Sequence, residues 1–397
     1  MTRIIHINDK VHNAGGVEVY LSSLQPLLEA SGWQSRWIGI RRNGKRICVA
    51  DAKFPEREVC DNLRNLGKIL REEKDGQPVI FHVHSLSDPV LLDFLFSQGP
   101  VVRTIHEPRI FCPGQGKFWR TDETPCLLPC GLHCIWHAYQ KRCCNRHPKR
   151  LSAALRNTFY ERKTAANRYA ALIANSHWTA SQAMEAGFPE QKIQTIPYFT
   201  SVIKPSPPPE NSTPIVLFVG RLTREKGLHH LLDALKITCD LGIDSRLEIV
   251  GDGHEREFFE QYAQELGLNN HCKFYGWLCR DEIQRCFHSC SIVAFPSVYP
   301  EAFGIVGIEA MMHERPVVAF DVGGVREWLE DGVTGSIVPA KDSARLAAAL
   351  GKLCTDSEYA AQMGKAGRAI ALKQFSPKHH LSALTDLYRR ISSLAIY

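Results

Sequence analysis

Short uninterrupted runs of β-branched and other apolar residues recur along the whole chain, each followed by a turn and then a stretch of helical periodicity. In the first half the runs are Ile4–Asn8, Val79–His84, Val101–His106 and Leu172–Asn175. In the second half they are Ile215–Val219, Leu247–Val250, Ile292–Phe295 and Val317–Phe320, each ending in a Gly- or Pro-bearing turn. A strand that is apolar at every position has both faces covered, so this alternation predicts parallel sheets flanked by helices, an α/β fold. The stretch Val17–Leu28 shows the helical period well, with Tyr20, Leu21, Leu24, Leu27 and Leu28 on one face. Pro26 inside it predicts a kink or an early end.

At 397 residues the chain exceeds what one core holds, so two domains are expected. The proline-rich stretch from Lys204 to Thr213 is the best boundary. It divides a first domain, 1–203, from a second, 214–375. The last segment, Ser376–Ile396, reads as a helix crossing back to the first domain. In open parallel sheets, ligands bind beyond the carboxyl ends of the strands. Two Rossmann-like domains of this kind would place their ligand loops on opposite walls of one cleft.

Composition narrows the function classes. An apolar fraction of 44% and a charged fraction of 23% belong to an ordinary soluble protein. No stretch approaches the ~20 apolar residues that span a bilayer. The opening MTRIIHINDK breaks at Asp9–Lys10 without the apolar core of a signal peptide, which predicts a cytoplasmic location. A formal charge of +6 suits an anionic partner without naming it. No stacking-aromatic or groove-reading motif points to nucleic acid.

Chemistry is expected in the loops after the strands. Gly15-Gly16 precedes a helix, and paired glycines let a ligand approach backbone N–H groups at the positive dipole end. The competing reading is a tight turn. Gly220-Arg221-Leu222-Thr223-Arg224-Glu225-Lys226-Gly227 puts two cations, Arg221 and Lys226, at a strand–helix junction, where they can neutralise a diphosphate. Gly251-Asp252-Gly253 reads mainly as a shape-giving turn. The most informative stretch runs from Phe295 to Ala310. Its Glu301 lies in a loop, and its Glu309 lies about a turn and a half into a helix that starts near Gly304. Glu309 can hydrogen-bond a ribose diol, and the N–H groups of Phe303, Gly304 and Ile305 can hold phosphate oxygens. Glu301 would then sit near a reacting sugar.

These loops resemble those of the family-4 retaining glycosyltransferases of the GT-B fold. The matching residues are Gly15-Gly16 with Glu18, His106, Gly220-Arg221 with Lys226-Gly227, and Gly251-Asp252-Gly253. They continue through Glu301 and Glu309, Gly323-Gly324, Asp331-Gly332 with Gly335, and Pro339. The second half matches nearly throughout, the first half only at its Gly-Gly loop, at His106 and around Ala174-Asn175-Ser176. The resemblance implies GT-B architecture with an acceptor-binding first domain and a nucleotide-sugar-binding second domain. It also implies retaining transfer without a catalytic metal, in which Arg221 and Lys226 stabilise the departing diphosphate. Glu309 would hold the ribose and Glu301 the donor sugar, with Gly15, Gly16, Gly220 and the 303–305 backbone at phosphate or sugar. His106 would hydrogen-bond the transferred sugar, and no side-chain nucleophile is needed. Glu107 stands where the family more often has aspartate, which leaves that neighbour without a role. UDP is expected over GDP, and the acceptor is expected to be a lipid-linked or free saccharide of cell-surface polysaccharide or lipopolysaccharide synthesis. The alternatives are a GT-B nucleotide-sugar epimerase and a non-catalytic nucleotide-sugar-binding subunit of a polysaccharide assembly complex.

Two further features lie outside the pattern. The insertion 107–145 holds six of the fourteen cysteines. Cys112, Cys126, Cys130, Cys134 and Cys143 are candidate ligands of a structural zinc, the alternative being a loop stiffened by packed thiols. The spacing Cys126-x3-Cys130-x3-Cys134 would put three thiols on one face if helical. From Lys141 to Arg168 there are nine Lys/Arg and one acid, Glu161, with Leu151, Leu155, Phe159 and Tyr160 among them. That pattern suits either an interfacial helix at the inner face of the plasma membrane or a helix packed on its own domain. His82, His84, His229 and His230 read as structural histidines.

Overall fold

The computed structural model describes residues 2–11, 15–43, 46–51, 54–61, 63–74, 77–205 and 213–394. The chain forms two compact units. Unit 1 comprises 1–117, 126–196 and 380–397; unit 2 comprises 118–125 and 197–379.

Unit 1 is built on an eight-stranded sheet. Its inner strands Arg3–Asn8, Val79–Val83, Val101–Ile105 and Ala171–Ala174 are mutually parallel neighbours, as their apolar runs imply. Ile5, Ile7, Phe81, Val83, Val101 and Ile105 belong to one core cluster. His6, His82 and Thr104, on the same strands, are buried as well. Successive side chains of a strand point to opposite faces, so His6, His82 and Thr104 lie on the face opposite these clustered apolar residues. The strands Gln34–Asn43, Arg46–Asp51 and Phe54–Asp61 add an edge that is antiparallel beyond its first member. The helix Gly16–Ala30 continues past Pro26 to Ala30, so the early end expected at the proline does not occur.

Unit 2 is a six-stranded, fully parallel sheet, and each of the four strands read from its sequence is present. Cys272–Gly276 and Gly335–Val338 complete its edges.

The unit boundary differs from the expected one. The proline-rich stretch lies mainly at 206–212, outside the described residues, and the division falls at Ile196–Pro197. The segment that follows is tied to unit 2. The Thr200 N–H donates to the Phe375 carbonyl at 3.0 Å, Arg280 donates to Ser201 Oγ at 2.8 Å, and Tyr198 packs edge-on to Phe303. The insertion 107–145 is likewise not confined to the first domain, because its hairpin 118–125 belongs to unit 2. Phe118 meets Tyr299, Arg120 pairs with Glu225 at 3.6 Å, and Lys341 donates to the Asp122 carbonyl. The helix Pro377–Leu394 does return to unit 1, from His380 onward.

Candidate functional sites at the strand ends of each unit

In unit 1 the loop after the first strand brings Gly15 to the start of the helix Gly16–Ala30, which has no side-chain cap. A Cβ added at Gly16 would meet nothing within 4 Å. Among the described residues the glycine therefore answers no packing demand, and no side chain caps the N–H groups of the helix start. Glu18 in the first turn is buried and held by Asn8 Nδ2, which donates to its Oε1 at 2.9 Å.

His106 follows the strand Val101–Ile105 and ends a row of imidazoles. His6 Nδ1 lies 3.0 Å from His84 Nε2, and His84 Nδ1 lies 2.8 Å from His106 Nε2. His82 stands beside the row with both nitrogens engaged, by Tyr388 Oη and Thr104 Oγ1, each at 2.6 Å. Burial drives all four rings toward the neutral form: His6 and His106 fall to about 3, and His82 and His84 lie well below the ordinary value. Three neutral imidazoles carry three N–H groups, and the two contacts of the row use two of them. If the row ran from His106 toward His6, the remaining N–H would sit on His6 Nε2, which is buried without a partner. Orphaned buried N–H groups are rare and cost about 1–3 kcal/mol. The row therefore donates from His6 to His84 to His106, and His106 accepts at Nε2 and carries its proton on Nδ1.

In unit 2 the loop after Ile215–Val219 leaves Arg221 exposed, with no ion pair among the described residues. Lys226 ends a short 3-10 turn and pairs with Glu301 at 2.5 Å. Ser297 Oγ donates to the same carboxylate oxygen at 2.7 Å. The backbone of this cluster is locked by close approaches. Gly227 has φ +71°, and a Cβ there would lie 1.8 Å from the Pro296 carbonyl oxygen. Gly323 has φ +52°, and its Cβ would lie 2.1 Å from the Glu301 carbonyl oxygen. Only glycine fits either position. Gly251 and Gly253 similarly let their turn close on the carbonyls of Gly220 and Leu222, the shape role read from the sequence.

Glu301 is itself buried, so Lys226 and Ser297 compensate a charge that would otherwise be costly there. The helix Ile305–Met312 starts from Gly304 (φ +100°) with no side-chain cap. Phe303 is a core side chain, packed on Tyr198 and Phe375. What Phe303 offers a ligand is its main chain, and its carbonyl already accepts from Trp328 Nε1 at 2.6 Å. Glu309 lies one turn into the helix, half-buried. Burial pushes its carboxyl up to about 7, opposed by the Arg280 charge.

Lys226 and Glu301 are thus brought into contact, with Gly304 and Ile305 opening the helix that carries Glu309. Sequence reasoning missed Ser297, which stands between Phe295 and Glu301 without a motif to mark it. It also missed His6 and the role of His84, which emerge only from the pairing of strands far apart in sequence.

In the cysteine-rich insertion, Cys126 and Cys130 lie outside the helix His133–Gln140, so the expected helical row of three thiols does not form. Among the described residues no three cysteine sulfurs gather as a metal-ligand group. The Cys130 thiol donates to Cys134, whose own thiol is lowered to about 6 chiefly by that bond. Burial first, and then the nearby Cys112, Cys144, Cys126 and Cys134, raise the Cys143 thiol to about 12. The basic helix Pro148–Tyr160 turns Leu151 and Leu155 inward against Ala138 and Cys144. Those leucines form the wall on which the insertion folds and are not an interfacial face.

A model of the glycosyl transferases group 1 matches residues 200–370, and one of glycosyltransferase family 4 matches 14–201. The chain belongs to the family-4 and group 1 glycosyltransferases. Alpha-D-kanosaminyltransferase of Streptomyces kanamyceticus is 33% identical over 178 residues, covering 45% of this chain and 46% of that protein. Alpha-maltose-1-phosphate synthase of Mycolicibacterium smegmatis is 34% identical over 189 residues, covering 45% and 49%. These matches span about half the length of the curated relatives. In fold, the chain resembles Anabaena HepE, solved with UDP, at a TM-score of 0.68 and 20% identity, over 98% of this chain and 100% of that one. The two parallel α/β units are those of the GT-B architecture.

Proposed function

We propose that the chain is a retaining glycosyltransferase that needs no catalytic metal and moves a sugar from a nucleotide diphosphate, UDP rather than GDP, to a lipid-linked or saccharide acceptor in cell-surface polysaccharide or lipopolysaccharide synthesis. The observation that carries this reading is the locked Lys226–Glu301–Ser297 cluster, in the same unit as the exposed Arg221 and an uncapped helix start followed by Glu309. Arg221 and Lys226 would take up the charge that develops on the leaving diphosphate. The 303–305 backbone and Gly220 would hold phosphate, Glu309 the ribose diol, and Glu301 the donor sugar. Gly15 and Gly16 would contact phosphate or sugar through their main chain. The bond from C1 to the diphosphate breaks, a bond from C1 to the acceptor oxygen forms on the same face, and the leaving phosphate takes the acceptor's proton. His106, neutral and protonated on Nδ1, would donate to a sugar hydroxyl without adding positive charge beside the oxocarbenium-like centre. The UDP bound in HepE supports the choice of nucleotide.

No helix among the described residues is long and apolar enough to cross a membrane. A peripheral position at the inner face of the plasma membrane is supported by another surface. Leu127, Leu132, Ile135, Trp136 and Tyr139 are exposed in the insertion, Leu127 at 83% and Trp136 at 65%. Exposed Arg142, Arg146, Lys149 and Arg150 follow in the chain. Apolar residues with cations nearby suit an anionic bilayer. The proposed contact thus lies mainly before the expected 141–168, of which only the cations from Arg142 to Arg150 take part, and Trp136→Glu should abolish co-sedimentation with anionic vesicles. Cys112, Cys126, Cys130, Cys134 and Cys143 would stiffen the knuckle as packed thiols or around one structural zinc, which metal analysis before and after thiol alkylation separates.

The test of the function is incubation with a panel of UDP- and GDP-sugars in chelator, followed by NMR. Release of free sugar whose anomeric configuration matches the donor's supports retaining transfer. Release of epimerised sugar nucleotide points to an epimerase, and binding without turnover, even with acceptor extracts, to a non-catalytic subunit.

A further inference from the structure

Among the described residues, two groups of three His or acidic side chains bring one ligand atom each within 4.8 Å of the others. In the first group, His6, His82 and His84, the nitrogens of His82 and His84 are already spent on hydrogen bonds. The second group is Glu123, His229 and His230 in unit 2, where the His230 nitrogen that faces the carboxylate, Nε2, has no hydrogen-bond partner.

Glu123 Oε2 lies 3.3 Å from His229 Nε2 and 3.6 Å from His230 Nε2. A tetrahedral zinc with bonds of about 2.1 Å has ligand–ligand edges of about 3.4 Å, so the carboxylate already stands at that spacing from both rings. Hydrogen bonding alone accounts poorly for the arrangement. The His229 contact is long, the His230 contact is beyond hydrogen-bond range, and His230 Nε2, the nitrogen that faces the carboxylate, is buried without a partner. Three independent contacts fix the two rings. His229 stacks on Phe259, His230 meets the edge of Phe320, and Ser343 Oγ lies 3.5 Å from His230 Nδ1. An outer oxygen on the second ring nitrogen is what metal-bound imidazoles normally have. Glu123 reaches the rings from the hairpin 118–125 with a left-handed backbone, φ +51°, a costly conformation for a non-glycine residue.

We propose that Glu123, His229 and His230 form a binding site for a divalent cation of the zinc class. Two imidazole nitrogens and one carboxylate are donors of the borderline softness that zinc takes. Three protein ligands leave a fourth position for water. The cation would fasten the hairpin to the start of the helix Leu228–Asp240, next to the turn that carries Lys226. Arg120 and Asp122 of the same hairpin already touch Glu225 and Lys341 there. His229 and His230, read from the sequence as structural, thereby gain a ligand. The site is independent of the glycosyl transfer proposed above and of any zinc on the cysteines.

The test equilibrates the full chain with Zn²⁺, removes unbound metal and counts zinc per chain in the wild type, Glu123→Ala and His230→Ala. Each variant should hold one zinc fewer than the wild type, because any cysteine-bound zinc is common to all three. The wild type is also labelled with diethyl pyrocarbonate with and without Zn²⁺ and mapped by mass spectrometry, which needs no variant to fold. Protection of His229 and His230 by Zn²⁺ is expected. Equal zinc in all three proteins, or equal labelling with and without Zn²⁺, overturns the proposal.

Discussion

Replacing His84 with phenylalanine removes the middle of the imidazole row while keeping an aromatic ring of similar size beside His82, whose ring centroid lies 4.3 Å from that of His84. Two hydrogen bonds disappear, the 3.0 Å contact to His6 and the 2.8 Å contact to His106. His6 is then left with at least one N–H that has no partner in a fully buried position, at a cost of about 1–3 kcal/mol. His106 loses the His84 donor at its Nε2, which shifts the ring toward carrying its proton there. A hydrogen bond made to the sugar by Nδ1–H would then be lost in part of the molecules. In those molecules about 1–3 kcal/mol amounts to roughly a 5- to 150-fold fall in turnover, so the observed kcat drops toward the fraction still protonated on Nδ1, with little change in affinity for the nucleotide. The assay pairs turnover with long-range ¹H–¹⁵N spectra of histidine-labelled protein, in which the two ring nitrogens report the tautomer directly. The wild type should show His106 protonated on Nδ1, and the variant a shift toward Nε2. A Thr104→Val control, which touches only His82, should leave the His106 signal in place. Wild-type His106 protonated on Nε2 refutes the reasoning about the row, and an unchanged kcat despite a changed tautomer refutes the role given to the ring.

Three further outcomes follow from the same geometry. Ser297→Ala removes one of two side-chain partners of the buried Glu301 carboxylate, a hydrogen bond to a charged group worth about 1.5–3 kcal/mol, and should lower denaturant stability by that order. Glu309 has a carboxyl raised to about 7, so its ionised form is depleted below neutrality. UDP binding, measured calorimetrically, should weaken as pH falls through that value, and this dependence should vanish in Glu309→Gln. His6 and His106 are depressed to about 3 in the folded chain against 6.5 unfolded, so the unfolded state binds more protons between these values. Stability is then full above about pH 6.5 and falls as pH drops, by up to about 1.4 kcal/mol per pH unit for each ring. Denaturant titrations at pH 7.5, 6 and 5 check the direction, and equal stability at all three would contradict it.

The strands with continuous apolar runs were legible because burial on both faces leaves that pattern in a single sequence. All eight inner strands sit within a residue or so of the runs that announced them. The strands beyond Arg3–Asn8 were missed, and Gln34–Asn43 shows why: it is paired on both sides, yet its Ser35, Arg36, Arg41 and Arg42 break the apolar run. Lys226 and Glu301 could be singled out because each stands at a strand end in a glycine-framed loop. Their ion pair could not be read, since it spans 75 positions and depends on the loops at Gly227 and Gly323 closing on their neighbours. The basic helix misled for a physical reason. Its apolar residues at helical spacing suit a membrane as well as a protein wall, and only the folded insertion shows that Leu151 and Leu155 face inward. The proline-rich stretch marked a boundary, yet the units divide before it, because Tyr198, Thr200 and Ser201 each find a partner in unit 2.

The measurement that tests the central claim most directly is binding and turnover of a UDP- and GDP-sugar panel, in chelator, by the wild type and by Glu301→Ala. One nucleotide sugar should bind at submillimolar concentration and be slowly cleaved, with cleavage lost in the variant while the free nucleotide still binds. If no nucleotide sugar binds even at millimolar concentration, or if Glu301→Ala cleaves the donor as fast as the wild type does, the assignment of this cluster to glycosyl transfer is wrong.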